Sequence, residues 1–133
     1  MNEEIQRMRI LSARDIPLAV FLAQDMAKKA GLRAQKAATL ATAVSELATN
    51  IIKYAEHGLL SVRLLNENYR VGIEAIVKDR GPGIGDLELA MKDHDSSSGT
   101  LGLGLPGTRR MVDEFDIEST PGEGTTVRIV VWA

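Results

Sequence analysis

Four short stretches of this chain combine residue types and spacings that could do chemistry. The first, Asp79-Arg80-Gly81-Pro82-Gly83-Ile84-Gly85, sets an acid ahead of three glycines at alternate positions. Glycine loses more conformational freedom on folding than other residues, so such a loop is costly to order unless something must approach its backbone closely. On that reading Asp79 accepts a hydrogen bond from an exocyclic amine, and Gly81 and Gly83 leave room for a flat base. A tight turn that Asp79 merely starts fits the same residues. The second stretch holds Glu46 and Asn50, which share a face at i,i+4 of a predicted helix. A carboxylate beside a carboxamide pairs a general base with an oxygen ligand for Mg²⁺. Lys53, one turn beyond Asn50, is within reach of a phosphate. A solvated helix edge accounts for the same spacing.

The third stretch runs from Ser96 to Gly107 and carries Gly99, Thr100, Gly102, Leu103 and Gly104 ahead of a predicted helix. Backbone N–H groups and the positive end of a helix dipole suit phosphate oxygens. Gly102, Gly104 and Gly107 spell G-x-G-x-x-G, but they follow a polar loop instead of a strand, so the dinucleotide reading is rejected. No G-x-x-x-x-G-K-[ST] occurs. A purely structural glycine loop stays open. The fourth stretch, Gly122-Glu123-Gly124-Thr125-Thr126, is explained by turn chemistry, and a role for Thr125 rests on its company.

The elements that must position these residues follow from hydrophobic spacing. A first strand is expected at 8–11, then a helix at 17–30 with Leu18, Phe21, Leu22 and Met26 on its apolar face and Gly31 at its end. A second helix at 36–55 has the stripe Leu40, Val44, Leu47 and Ile51, with Glu46 and Asn50 beside it. Strands at 59–65 and 69–78 join through Asn66-Glu67-Asn68. A short helix is expected at 86–91, an aperiodic segment at 92–102 that reads as mobile over a ligand, and a helix at 105–115. Strands at 116–120 and 125–132 close the chain. Phe21, Tyr54, Tyr69, Phe115 and Trp132 read as packing residues. Strands grouped against helices predict an α+β two-layer sandwich.

At 133 residues the chain reads as a single domain, 1–133. Its net charge of −2 gives no reason to expect nucleic acid or an anionic membrane. There is no cysteine, which excludes disulfides and thiolate metal sites and suits a cytoplasmic location. An acidic N-terminus without an apolar stretch reads as no secretion signal, and no apolar run approaches the roughly 20 residues of a membrane span.

Taken together, Glu46-x-x-x-Asn50, Asp79-x-Gly81-x-Gly83, the Gly99–Gly107 loop and Gly124-Thr125 resemble the ATP-binding (GHKL, or Bergerat) fold shared by gyrase, Hsp90, histidine kinases and MutL. The resemblance spans nearly the whole chain. Small size resembles the anti-sigma-factor serine kinases. Ser45-Glu46-Leu47-Ala48-x-Asn50-Ile51, Gly102-Leu103-Gly104-Leu105-Pro106-Gly107 and Met111-Val112-Asp113-Glu114-Phe115 are similar to the switch kinases of the bacterial stressosome. The resemblance implies a mixed β-sheet covered by helices on one face, and ATP and Mg²⁺ as cofactors. It implies that Asp79 binds the adenine amine, Gly81 and Gly83 pack the base, and Thr125 supports it. It also implies that Asn50 holds Mg²⁺, with Glu46 as base and, through water, a further metal contact, and that the Gly99–Gly107 loop is an ATP lid. The implied substrate is a serine or threonine on a STAS-domain protein of the RsbS or RsbR type. Its phosphorylation would free the kinase to activate a PP2C-type, RsbU-like phosphatase. An anti-sigma factor or nucleotide-dependent binding module without kinase activity is the alternative. Ser96, Ser97 and Ser98 stand where relatives often place a γ-phosphate arginine.

Overall fold

The computed structural model describes residues 5–85, 91 and 104–133. The elements are β1 (Ile5–Ile10), α1 (Asp15–Lys29), α2 (Ala34–Tyr54), β2 (Gly58–Glu67), β3 (Arg70–Asp79), α3 (Gly104–Met111), β4 (Glu114–Thr120) and β5 (Gly124–Trp132). The expected helix at 86–91 and the segment 92–102 lie outside the described residues, apart from Met91.

The strands form one sheet in the order β1-β2-β3-β5-β4. The expected mixed sheet is corrected: all four ladders are antiparallel. Tight turns dictate this for β2–β3 and β4–β5, while β1–β2 and β3–β5 are brought together through longer connections. Asn68 and Tyr69, with φ of 50° and 65°, make the two-residue turn between β2 and β3, a left-handed pair whose twist matches the strands it joins.

Register sorts the side chains. Leu60, Val62, Ile73, Ala75, Val77, Val127, Ile129 and Val131 share one face and pack into the core with both long helices. Alternation puts Arg63, Glu74, Arg128 and Glu114 on the other face. There Glu74 is buried and bonds Arg63 (3.0 Å) and Arg128 (2.7 Å), while Trp132 donates its indole N–H to Glu114 at 2.8 Å. The guanidinium of Arg70 stacks 3.9 Å from the Trp132 ring.

α1 departs from its expected face. The buried residues are Ala19, Ala23, Met26 and Ala27, whereas Leu18 and Phe21 are 57% and 66% exposed. Small alanines fill the core stripe of α1 and recur on α2 at Ala37, Ala41, Ala43 and Ala48. A stripe of alanines lets helices approach closely and leaves the larger residues on the flank outside. Tyr54 and Tyr69 are likewise exposed, so three of the five aromatics expected to pack do not. At the start of α1, Asp15 Oδ2 accepts from the backbone of Leu11 (2.8 Å) and Ser12 (3.2 Å). At its end, Gly31 at φ +86° donates to Lys28 and Leu32 to Ala27, the paired bonds that satisfy orphan carbonyls of a helix C-terminus.

The helix expected at 105–115 stops at Met111. Asp113 turns its backbone N–H to Val130 and accepts from Trp132 N through its carboxylate, so the chain has already joined the sheet. Phe115 therefore sits in β4 opposite Ile129, packed against the core.

Candidate functional site

Asp79 is the last residue of β3, and register places it beside Thr125, which in turn lies beside Ser119. All three are on the helix-covered side of the sheet. Asp79 Oδ1 accepts from Gly81 N at 2.8 Å, closing a turn two residues on. The turn reading is met, and Oδ2 has no partner among the described residues.

The glycines are demanded by contacts within the chain. A Cβ on Gly81 would stand 2.5 Å from Ala55 Cβ at the end of α2. On Gly83, at φ +76°, it would collide with the Thr120 carbonyl, and on Gly124, at φ +127°, with the carbonyl of Asp79. Gly122 N donates to Pro82 O at 2.7 Å, and Ile84 N donates to Ser119 Oγ at 2.8 Å. The Asp79–Gly85 loop is therefore stitched to the β4–β5 turn, and close backbone packing accounts for Gly81 and Gly83 before any ligand is considered.

Across this end, α2 presents Glu46 and Asn50 on one face, both half-buried. Glu46 Oε1 accepts from Gly104 N at 3.2 Å. Gly104 opens α3 at φ +51°, and its carbonyl accepts from the hydroxyl of the fully buried Thr108 at 2.8 Å. Glu46 therefore meets the amino end of α3, where a carboxylate is favoured by orphan N–H groups. Asn50 bonds none of the described side chains. Lys53 is exposed, its ammonium 5.3 Å from the Tyr54 ring centroid. Gly99, Thr100, Gly102 and Leu103 lie outside the described residues.

Glu46 and Asn50 offer the hard oxygen donors that Mg²⁺ takes. No cluster of three or more His, Cys, Asp or Glu able to hold a metal alone occurs among the described residues. A cation here would share its coordination with phosphate oxygens, which is how Mg²⁺ is usually held in such sites.

Ser119 escaped the sequence reading. Its signal was a polar residue continuing the inward alternation of Phe115 and Ile117, a place where an apolar side chain is the default.

Residues 11–131 match the sequence model of the family described as "Histidine kinase-like ATPase domain". The chain is 40% identical over 132 residues to the serine/threonine-protein kinase RsbT of Bacillus subtilis (strain 168), covering 99% of this chain and 98% of that one. It is 36% identical over 101 residues to the anti-sigma F factor of Caldanaerobacter subterraneus subsp. tengcongensis, covering 71% and 69%. The anti-sigma F factor of Thermoanaerobacter sp. (strain X514) is 34% identical over the same shares.

Proposed function

Because this chain belongs to the histidine kinase-like ATPase domain family, among the relatives of RsbT, we propose that it is an ATP-dependent protein serine/threonine kinase of a partner-switching system. The observation that carries the reading is Glu46. It is a carboxylate on the same helix face as Asn50, at the amino end of α3, in a chain that matches a serine/threonine kinase over 99% of its length.

In this reading Asp79 accepts from the adenine amine, and Thr125 supports the base from the neighbouring strand. Asn50 and Glu46 would hold Mg²⁺, which would neutralise phosphate charge. Lys53 reaches a phosphate, and the residues Gly99, Thr100, Gly102, Leu103 and Gly104 cover the nucleotide. Glu46 takes the proton of a serine or threonine hydroxyl as its oxygen bonds the γ-phosphorus and the bond to the bridging oxygen breaks, leaving ADP. Phosphoryl transfer asks mainly for such positioning and charge neutralisation. The substrate is a STAS-domain protein of the RsbS or RsbR type, and the released kinase activates a PP2C-type, RsbU-like phosphatase in the cytoplasm. No helix among the described residues is long and apolar enough to cross a membrane.

The resemblance to anti-sigma F factors favours a second reading, a nucleotide-dependent binding module. Transfer of labelled γ-phosphate from Mg-ATP to a co-encoded STAS protein separates the two. Label on the partner, lost in Asp79→Asn, is expected. Tight partner binding without label would replace the kinase with the binding module.

A further inference from the structure

We infer that Ser119 is the positioning residue that makes this nucleotide site selective for a 6-amino purine over a 6-oxo purine, by fixing the direction of the Thr125 hydroxyl. The inference rests on the assignment of Asp79 and Thr125 to the base.

Three contacts converge on Ser119 Oγ besides its own carbon. Ile84 N lies 2.8 Å away, Thr125 Oγ1 2.7 Å and the Gly124 carbonyl 3.2 Å. The amide of Ile84 can only donate, and the carbonyl of Gly124 can only accept. Ser119 has one proton. If it is given to Thr125, the Gly124 contact is not made. If it is given to Gly124 O, all three contacts are made, and Thr125 must then donate its own proton to Ser119. Ser119 then accepts two hydrogen bonds and donates one, which exhausts its capacity.

The consequence falls on Thr125. With its proton directed at Ser119, its oxygen is left as an acceptor only. Asp79, directly across the ladder from Thr125, is an acceptor as well, with Oδ2 unpartnered among the described residues. Two acceptors side by side suit an exocyclic amine, which has two protons to give. A carbonyl at the same position would face lone pairs on both sides, and a site built for one hydrogen-bonding pattern strongly rejects the other. Ser119 also ties the loop through Ile84, so one side chain couples the placement of Asp79 to the polarity of Thr125.

The test compares binding of ATP and inosine triphosphate, which differ at the purine 6-position and the adjacent ring nitrogen. Calorimetry on the full chain with Mg²⁺ would use the wild type, Ser119→Ala and Ser119→Thr. Wild type is expected to prefer ATP. Ser119→Ala frees the Thr125 proton and narrows that preference roughly tenfold, about one hydrogen bond's worth. Ser119→Thr, which keeps the hydroxyl, restores it. Equal weakening of both nucleotides in Ser119→Ala would mean a merely structural serine, and an unchanged ratio would likewise overturn the inference. Absence of discrimination in the wild type would overturn it while leaving the nucleotide site in place. A wild type that binds neither nucleotide would remove the kinase reading and this inference with it.

Discussion

Asp79 holds two jobs with two oxygens. Oδ1 closes the turn onto Gly81, and in the proposed function Oδ2 is the acceptor offered to a base. An asparagine there can keep the turn only by pointing its own oxygen at Gly81, which puts the NH₂ group where the adenine amine also donates. Asp79→Asn is therefore expected to fold normally and to lose ATP binding by calorimetry. Normal affinity would remove Asp79 from the base. Glu46 is a different case, since its bond to Gly104 N places it at α3 and leaves Oε2 for chemistry. Glu46→Ala is expected to keep ATP affinity and slow phosphotransfer by roughly 10²–10⁴-fold, the range of a general base. An unchanged single-turnover rate would make Glu46 a bystander.

The elements meet where the β4–β5 turn presses on the end of β3. Gly124 is buried at φ +127°, and any Cβ on it would overlap the Asp79 carbonyl. Gly124→Ala combines backbone strain with a clash against main chain that cannot rotate away. It is expected to cost about 3 kcal/mol or more of stability. Urea denaturation would show this as a lowered midpoint at unchanged slope. A midpoint like the wild type's would mean that the two strands separate easily at this end, and the coupling of Asp79 to Thr125 would lose its support.

The whole molecule is a sheet with two unlike faces, one packed under α1 and α2 and one closed by charge. On the second face the Trp132 indole N–H, and after it Arg128, hold the Glu114 carboxyl below the ordinary carboxylate value, against an opposing effect of burial. A group with a depressed folded pKa adds stability above its unfolded pKa and loses it as pH falls through the folded one. Urea midpoints at about pH 6 and about pH 3 should thus fall less in Glu114→Gln than in the wild type. Equal falls would show that Glu114 contributes nothing to acid sensitivity. Because Glu114 is partly exposed, the difference is expected to be small.

Much of this was legible in the residues themselves. The order of the described strands and long helices followed from period and punctuation, and Gly31 marked the end of α1 because local backbone preference suffices there. The β2–β3 turn, expected at Asn66-Glu67-Asn68, lies instead at Asn68 and Tyr69, because ladder pairing carries Asn66 and Glu67 into β2. The pairing of Glu46 with Asn50 on one face needed only the helical repeat. Tertiary structure alone decided the rest. Whether Leu18 and Phe21 or the alanines of α1 face inward depends on how closely a second helix approaches, and hydrophobicity does not encode that distance. Phe115 left its helix because β5 offered a ladder to Glu114 and its neighbours, a partner distant along the chain. Ser119 acquired its place between Ile84 and Thr125 through contacts spanning 35 and 6 residues, and the glycines at 81, 83 and 124 met main chain or Ala55 only once the sheet had closed. Spacing determined which residues share a face; packing determined which faces meet.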